Sequence, residues 1–221
     1  MCGIFCTSTF SRYIQLYQHN KSRGSFASGS VYVNDQECYV RKNGENHDPK
    51  TESGWPWNND NKYDVYLGHV QAPTSSSRQV IAETTHPFES GDWLVAHNGV
   101  LENFEELKQS YYISDHTNPV DSSIIPVLLS ELWVGDELLC IKETCEKLKG
   151  TFACWIVNKV SKNVFFVRSG STLYMNDIRG EISSVKYTDL EQEMLQGKIY
   201  QLTGEGITIV GEFKADSPFF I

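Results

Sequence analysis

The sequence predicts an α+β protein, two sheets with helices packed on the outside. Three observations predict it. As far as Ala96 the chain reads as strands and loops, from Asn103 to Lys149 it reads as helices, and from Thr151 it returns to strands. No repeat or linker divides the series, and 221 residues suit one large domain, 1–221, better than two. Hydrophobic residues make up 40% and charged residues 21%, which supports a full core and argues against global disorder.

The first strand begins at the N-terminus, with Cys2, Ile4 and Cys6 on one face and Gly3 and Phe5 on the other. Ser11 to Lys21 is Tyr-rich and reads as irregular. Ser22 to Gly29 contains Gly24 and Gly29, which suits either a loop in close contact with a ligand or a plain turn before a hairpin. The hairpin pairs Ser30–Val33 with Glu37–Lys42 around Asn34-Asp35-Gln36. Asn43 to Lys62, with its prolines, tryptophans and asparagines, reads as a long surface loop.

Asp64 to Val70 is a strand, with Val65, Leu67 and His69 on one face. A polar loop from Gln71 to Arg78 follows, then His86-Pro87-Phe88 and a turn at Gly91. Trp93 to Ala96 is a short buried strand that ends in His97-Asn98-Gly99. Asn-Gly is a strong hairpin signal, yet no strand follows it here. Instead Asn103 and Glu106 resemble a capping box. The expectation is a strand-to-helix corner that aims a backbone N–H and an amide side chain at one point.

Asp121-Ser122-Ser123 opens a helix from Ile124 to Trp133, closed by Gly135, with Pro126 in its first turn. A further helix runs from Asp136 to Lys149 and stops at Gly150. Strands are expected at Thr151–Asn158, Asn163–Arg168, Thr172–Met175 and Glu181–Val185. A short helix from Tyr187 to Gln196 precedes a last hairpin of Ile199–Leu202 and Ile207–Phe213.

The net charge of −9, without a Lys/Arg run, argues against nucleic acid or an anionic membrane as the main partner. No apolar run approaches the ~20 residues a bilayer requires, and no basic-then-apolar leader opens the chain. The cysteines at 2, 6, 38, 140, 145 and 154 form no C-x-x-C pair, so they read as reduced thiols in a cytoplasmic protein. His69, His86, His97 and His116 lack metal-ligand spacing, so no metal is expected. His69 reads as structural.

Chemistry concentrates at Cys2. With the initiator Met removed, Cys2 carries a thiol and a free α-amine on one residue, and the amine, directly or through water, is the base that activates the thiol. Their reference pKa values, about 8.5 and roughly 7.7–8.0, allow proton exchange. Taken alone, a second residue that is Cys by chance is the better reading. The downstream segments favour the chemical reading.

Cys2-Gly3-Ile4, Arg23-Gly24 with Ser28-Gly29, Gly68-His69 with Thr74, His86-Pro87-Phe88, His97-Asn98-Gly99 with Glu102-Asn103, and Asp121-Ser122 stand in the order and rough spacing of a known family. Together with Leu148 to Ala153 and Val167-Arg168, they resemble class II glutamine amidotransferase domains, which are N-terminal-nucleophile hydrolases. The likeness covers roughly residues 1 to 175. It implies a four-layer αββα sandwich, no cofactor and no metal, and a glutaminase reaction through a Cys2 thioester. By the same resemblance, Asn98 and the N–H of Gly99 form the oxyanion hole. Asp121 holds the substrate α-amine, a position that also reads as a plain N-cap. Thr74 and His86 line the pocket near the carboxylate end, and Arg23 lies beside the nucleophile.

One position departs from the family pattern. Gln71 stands where an arginine usually clamps the substrate carboxylate, and a neutral amide offers no bidentate charge pairing. Arg78, in the same loop, is a candidate surrogate. Since the chain ends at Ile221, the leading expectation is a stand-alone glutaminase that passes ammonia to a separate synthase. A hydrolase of other γ-glutamyl amides or peptides and a non-catalytic binding module of the same fold are the alternatives.

Overall fold

The computed structural model describes residues 2–42, 44, 62–72, 80–113 and 116–215. Most of the expected surface loop at Asn43–Lys62 lies outside the described residues, as do Thr74 and Arg78. In chain order the elements are β1 (Gly3–Thr7), α1 (Phe10–Asn20), β2 (Ala27–Val33), β3 (Cys38–Lys42), β4 (Val65–Gln71), β5 (Phe88–Ser90) and β6 (Trp93–Leu101). They continue with α2 (Phe104–Ser110), α3 (Ile124–Glu131), α4 (Glu137–Lys147), β7 (Gly150–Asn158), β8 (Val164–Ser169) and β9 (Tyr174–Asn176). The last are β10 (Glu181–Ser183), β11 (Gln192–Glu193), β12 (Lys198–Thr203) and β13 (Gly206–Glu212).

The strands form two antiparallel sheets, a seven-stranded one ordered β11-β9-β10-β1-β4-β2-β3 and a six-stranded one ordered β13-β12-β8-β7-β6-β5. Alternation along each strand decides the layering. Ile4, Cys6, Val31 and Leu67 of the first sheet meet Leu94, Ala96, Ala153, Trp155 and Phe166 of the second in a buried layer between them. Each large aliphatic or aromatic side chain fully buried there contributes about 1.5–3 kcal/mol. Trp155 also donates from Nε1 to the Gly68 carbonyl, 3.1 Å away across the sheets. The opposite face of the first sheet packs Phe5, Tyr66 and Val70 against Phe10, Tyr13 and Tyr17 of α1. The outer face of the second packs Val95, Cys154 and Phe165 against α3 and α4. The result is the αββα sandwich expected from the sequence.

The structure corrects four local expectations. Ser11 to Lys21 is not irregular: α1 occupies it, burying Phe10, Tyr13, Leu16, Tyr17 and Asn20 at helical spacing. Its aromatic content and uncapped start hide a helix that is stabilised by packing rather than propensity. The segment from Tyr187 to Gln196 is not a helix. Tyr187 and Leu190 bridge each other, β11 adds an edge to the first sheet, and Asp189 pairs with Arg12 and Arg179. The corner expected at Asn98-Gly99 lies further on, because β6 pairs with β7 continuously from Trp93↔Asn158 to Leu101↔Gly150. Ladder pairing on both partners overrides the turn preference of Asn-Gly.

The fourth correction concerns Asn103, which sits at the start of α2 without making a side-chain cap bond. Its amide spans to the end of α4 instead. Nδ2 donates to the Lys147 carbonyl at 2.9 Å, and Oδ1 accepts from the Lys149 N–H at 3.0 Å. Glu106 meets the Lys149 ammonium at 3.0 Å rather than closing a box. Replacing Asn103 with Ser tests this, because serine caps helices as well as asparagine. Serine is too short to bridge, so Asn103→Ser is expected to lower the urea-unfolding free energy by about 1–3 kcal/mol, the penalty of orphaned buried groups. A change of a few tenths would instead fit a simple cap.

Candidate active site

β1 brings Cys2 to one end of the sandwich. The strand is flanked by β4 on one side and β10 on the other, with Gly3 opposite Val70 and Phe5 opposite Ser183. A Cβ at Gly3 would lie 3.0 Å from Asn20 Oδ1 and 3.1 Å from Val70, so a larger residue would make these side chains give by a few tenths of an ångström. Cys2 itself is half-buried, and its thiol lies 3.9 Å from the Ala72 carbonyl, within reach of a long S–H bond.

The turn after α1 returns to this point. Arg23 donates from Nε to the Cys2 carbonyl at 2.7 Å. Burial pulls its guanidinium pKa down, and the Cys2 thiol pushes back, so the two groups sense each other electrostatically. Next to it, a Cβ on Gly24 would sit 2.4 Å from the Gln71 carbonyl carbon, so only glycine permits the turn to press on the end of β4.

Gln71 is buried, and its amide is committed to its neighbours. Nε2 donates to the Thr84 carbonyl at 3.3 Å, and Oε1 faces His86 Nδ1 at 3.5 Å. The His86 ring stacks on His69 with centroids 3.9 Å apart. A Cβ on Gly29 would overlap the His86 carbonyl at 1.8 Å, which accounts for glycine in mid-strand. Lys42, unnoticed in the sequence, donates to the carbonyls of Thr85 and Pro87 at 3.3 and 2.8 Å, and burial lowers its pKa. The segment bearing His86 is thus clamped by β2, β3 and β4.

From the second sheet, β6 turns Asn98 inward, along the face that carries Leu94 and Ala96. Asn98 is 3% exposed and donates from Nδ2 to Ser184 Oγ at 3.5 Å. Ser184 in turn accepts from the Ile4 N–H of β1 at 3.0 Å. Gly99 follows in a backbone conformation with φ of +155°, where a Cβ would meet the Thr151 carbonyl at 1.9 Å. Asp121 braces the end of the same strand: Oδ2 accepts from the Leu101 N–H and Oδ1 from the Ser122 N–H, both at 2.8 Å.

Cys2, Arg23 and Gln71 therefore meet around the ends of β1 and β4, with His86 against Gln71, and Asn98 joins β1 through Ser184. Asp121 lies beyond Gly99 on the β6 side. Sequence reading gave no sign of Ser184 or Lys42, since a serine at a strand end and a lysine in a half-exposed strand carry no local signal.

His97, on the outer face of β6, forms a separate buried pair. Nε2 lies 3.3 Å from the Thr151 carbonyl, which can only accept, so Nε2 carries the proton. Nδ1 lies 2.7 Å from Ser122 Oγ, whose hydroxyl also reaches Asp121 Oδ1 at 3.2 Å. Burial holds the His97 pKa below its ordinary value, partly offset by Asp121 and Thr151. With the folded pKa depressed, the unfolded chain takes up the proton first. Stability is complete above about pH 6.5 and declines as pH falls below it. Between pH 7.5 and 5, unfolding free energies of His97→Gln are expected to fall less steeply than those of the parent; parallel slopes would show that His97 titrates normally.

Comparisons with known proteins bear on the family and the fold. The profile of a glutamine amidotransferase domain matches residues 74–185. The chain is 27% identical over 184 residues to 7-cyano-7-deazaguanine synthase 2 of Sulfurisphaera tokodaii, covering 81% of this chain and 39% of that protein. It is 28% identical over 165 residues to glutamine–fructose-6-phosphate aminotransferase of Aquifex aeolicus, covering 69% of this chain and 28% of that one. It thus spans well under half the length of these curated relatives. Among solved structures it resembles the glutamine phosphoribosylpyrophosphate amidotransferase of B. subtilis, with a TM-score of 0.72 at 20% identity over 95% of this chain and 49% of that one. A glutamine aminotransferase class-II domain protein from Silicibacter pomeroyi matches with a TM-score of 0.59 at 12% identity, over 96% of this chain and 99% of that one.

Proposed function

Because the chain belongs to the glutamine amidotransferase domain family, we propose that it hydrolyses the side-chain amide of glutamine at Cys2 and releases ammonia to a separate synthase. The link from Asn98 on one sheet, through Ser184, to the Ile4 N–H two residues from Cys2 on the other is the observation that carries this reading.

With Met1 removed, the α-amine of Cys2 takes the thiol proton, and Sγ attacks the amide carbon of the substrate. Negative charge moves onto the amide oxygen, where the second N–H of the Asn98 amide and the N–H of Gly99 receive it. The tetrahedral species collapses as the α-amine returns the proton to the departing nitrogen. Ammonia leaves and a γ-glutamyl thioester stays on Cys2. Water, deprotonated by the same amine, then releases glutamate. Arg23 holds the Cys2 carbonyl and, as a nearby cation, favours the thiolate. Asp121 meets the substrate ammonium, with His86 toward its other end. The relatives are named for a synthase and an aminotransferase, and the chain matches only part of each, which supports a division between glutaminase and ammonia acceptor.

Gln71 favours a second reading of substrate choice. Its amide is engaged by Thr84 and His86, so it brings no charge to a carboxylate. Arg78 lies outside the described residues, and as a surrogate it would supply that charge. Without it, the pocket suits a γ-glutamyl compound whose carboxylate is masked.

Intact-mass analysis with an electrophilic glutamine analogue tests the first reading: one adduct on the parent, none on Cys2→Ala, and no glutamate release by that variant. Persistent hydrolysis by Cys2→Ala would overturn the nucleophile assignment. Asn98→Ala is expected to lower kcat about 10²-fold with a smaller change in KM. For the carboxylate end, Arg78→Gln is expected to raise KM for glutamine about 10- to 100-fold, the loss of one charge-assisted contact. If KM is unmoved and Gln71→Arg sharply improves turnover of free glutamine, the masked substrate is the better reading.

A further inference from the structure

Ser184 stands at a junction that the reaction sequence above does not use. It is 1% exposed and directly follows β10, the strand next to β1. An antiparallel ladder would have Ile4 and Ser184 exchange two backbone bonds. Only one is made: the Ser184 N–H donates to the Ile4 carbonyl at 2.9 Å. The Ser184 carbonyl is turned away and accepts from Thr172 Oγ1 at 3.1 Å. In its place the Ser184 hydroxyl accepts from the Ile4 N–H at 3.0 Å. That substitution puts the hydroxyl oxygen on the inner face, where its remaining acceptor position receives Asn98 Nδ2 at 3.5 Å. The neighbouring Ser183 points the other way, to Asn20 Nδ2 at 2.9 Å, as strand alternation requires.

One atom therefore joins the backbone of the strand that begins with the nucleophile to the amide side chain on the opposite sheet. An asparagine amide has two N–H donors in a fixed plane. Committing one to Ser184 fixes the plane and leaves the other to point at a ligand. We propose that Ser184 is a positioning residue for the glutaminase reaction: it sets the Asn98 amide in register with Cys2, so that the nucleophile and the oxyanion donor act on the same carbonyl. This rests on the proposed reaction at Cys2.

The test is a double-mutant cycle on the full chain, with Ser184→Ala, Asn98→Ala and the pair. Losing orientation, but not the donor itself, is expected to lower kcat about 10-fold in Ser184→Ala, with KM changed less than about 2-fold. In the Asn98→Ala background the same change is expected to lower kcat by less than about 2-fold, because the group it positions is gone. Iodoacetamide alkylation of Cys2 is expected to proceed at the parental rate in Ser184→Ala, showing that β1 still presents the thiol. Ser184→Cys, which preserves volume but accepts weakly, is expected to follow Ser184→Ala in kcat while melting within a few degrees of the parent; it serves if the alanine variant does not fold.

Equal kcat losses in both backgrounds, or slowed alkylation in step with kcat, would show that Ser184 merely supports β1 and would overturn the assignment. So would a parental kcat in both Ser184 variants. A parent protein that releases no glutamate from glutamine overturns the proposed reaction and this role together, whereas an active parent with unaffected Ser184 variants overturns this role alone.

Discussion

The position of β1 in the interior of its sheet is the constraint on which the site depends. Hydrogen bonding to β4 on one side and β10 on the other leaves the strand no freedom to slide, and a one-residue slip would reverse every side chain. Ile4 and Cys6 would leave the buried layer, and Phe5 would lose the aromatic pocket formed with Tyr13 and Tyr17. Register is therefore enforced by burial along the whole strand. Cys2, at its open end, inherits a fixed direction, and Arg23 holds its carbonyl.

The layer between the sheets changes character along its length. Over most of it, aliphatic and aromatic side chains interlock. Toward the Cys2 end they give way to Ser184, Asn98, Gln71, His69 and His86, all buried. Polar groups in such a place are stable only when their bonds are distributed among several elements. The Thr84–Phe88 segment shows how this is arranged, with β4 supplying an amide, β3 an ammonium and β2 a glycine that lets the backbone approach. Rigidity at this end is thus a consequence of polar satisfaction rather than of apolar packing.

Much of this was readable in the residues, and the exceptions have physical reasons. Alternation marked the inner and outer faces of β1 and β4, and the order of strands and helices implied the layered sandwich. The motif around His97-Asn98-Gly99 suggested a corner, but long-range pairing with β7 extends the strand through that local turn signal. Helix α1 was missed since its stripe is built from tyrosines and phenylalanine, which are poor helix formers that stabilise it only after docking on the sheet. Asn103 illustrates the reverse: the position at a helix start was correct, while its side chain serves a more distant pair of backbone groups. Ser184 had no signature, as its importance arises from a backbone bond that is replaced by a hydroxyl.

The sulfur chemistry of the chain is divided sharply between surface and interior. Burial raises the thiol pKa of Cys6, Cys38, Cys145 and Cys154, and that of Cys140 to about 12, so these thiols stay protonated near neutrality. Cys140 also donates to the Leu129 carbonyl inside the helical layer. Electrophiles and peroxides react with thiolates. Cys6, Cys140, Cys145 and Cys154 are buried, so oxidants and thiol reagents are directed to the two partly exposed cysteines, Cys2 and Cys38, and away from the core.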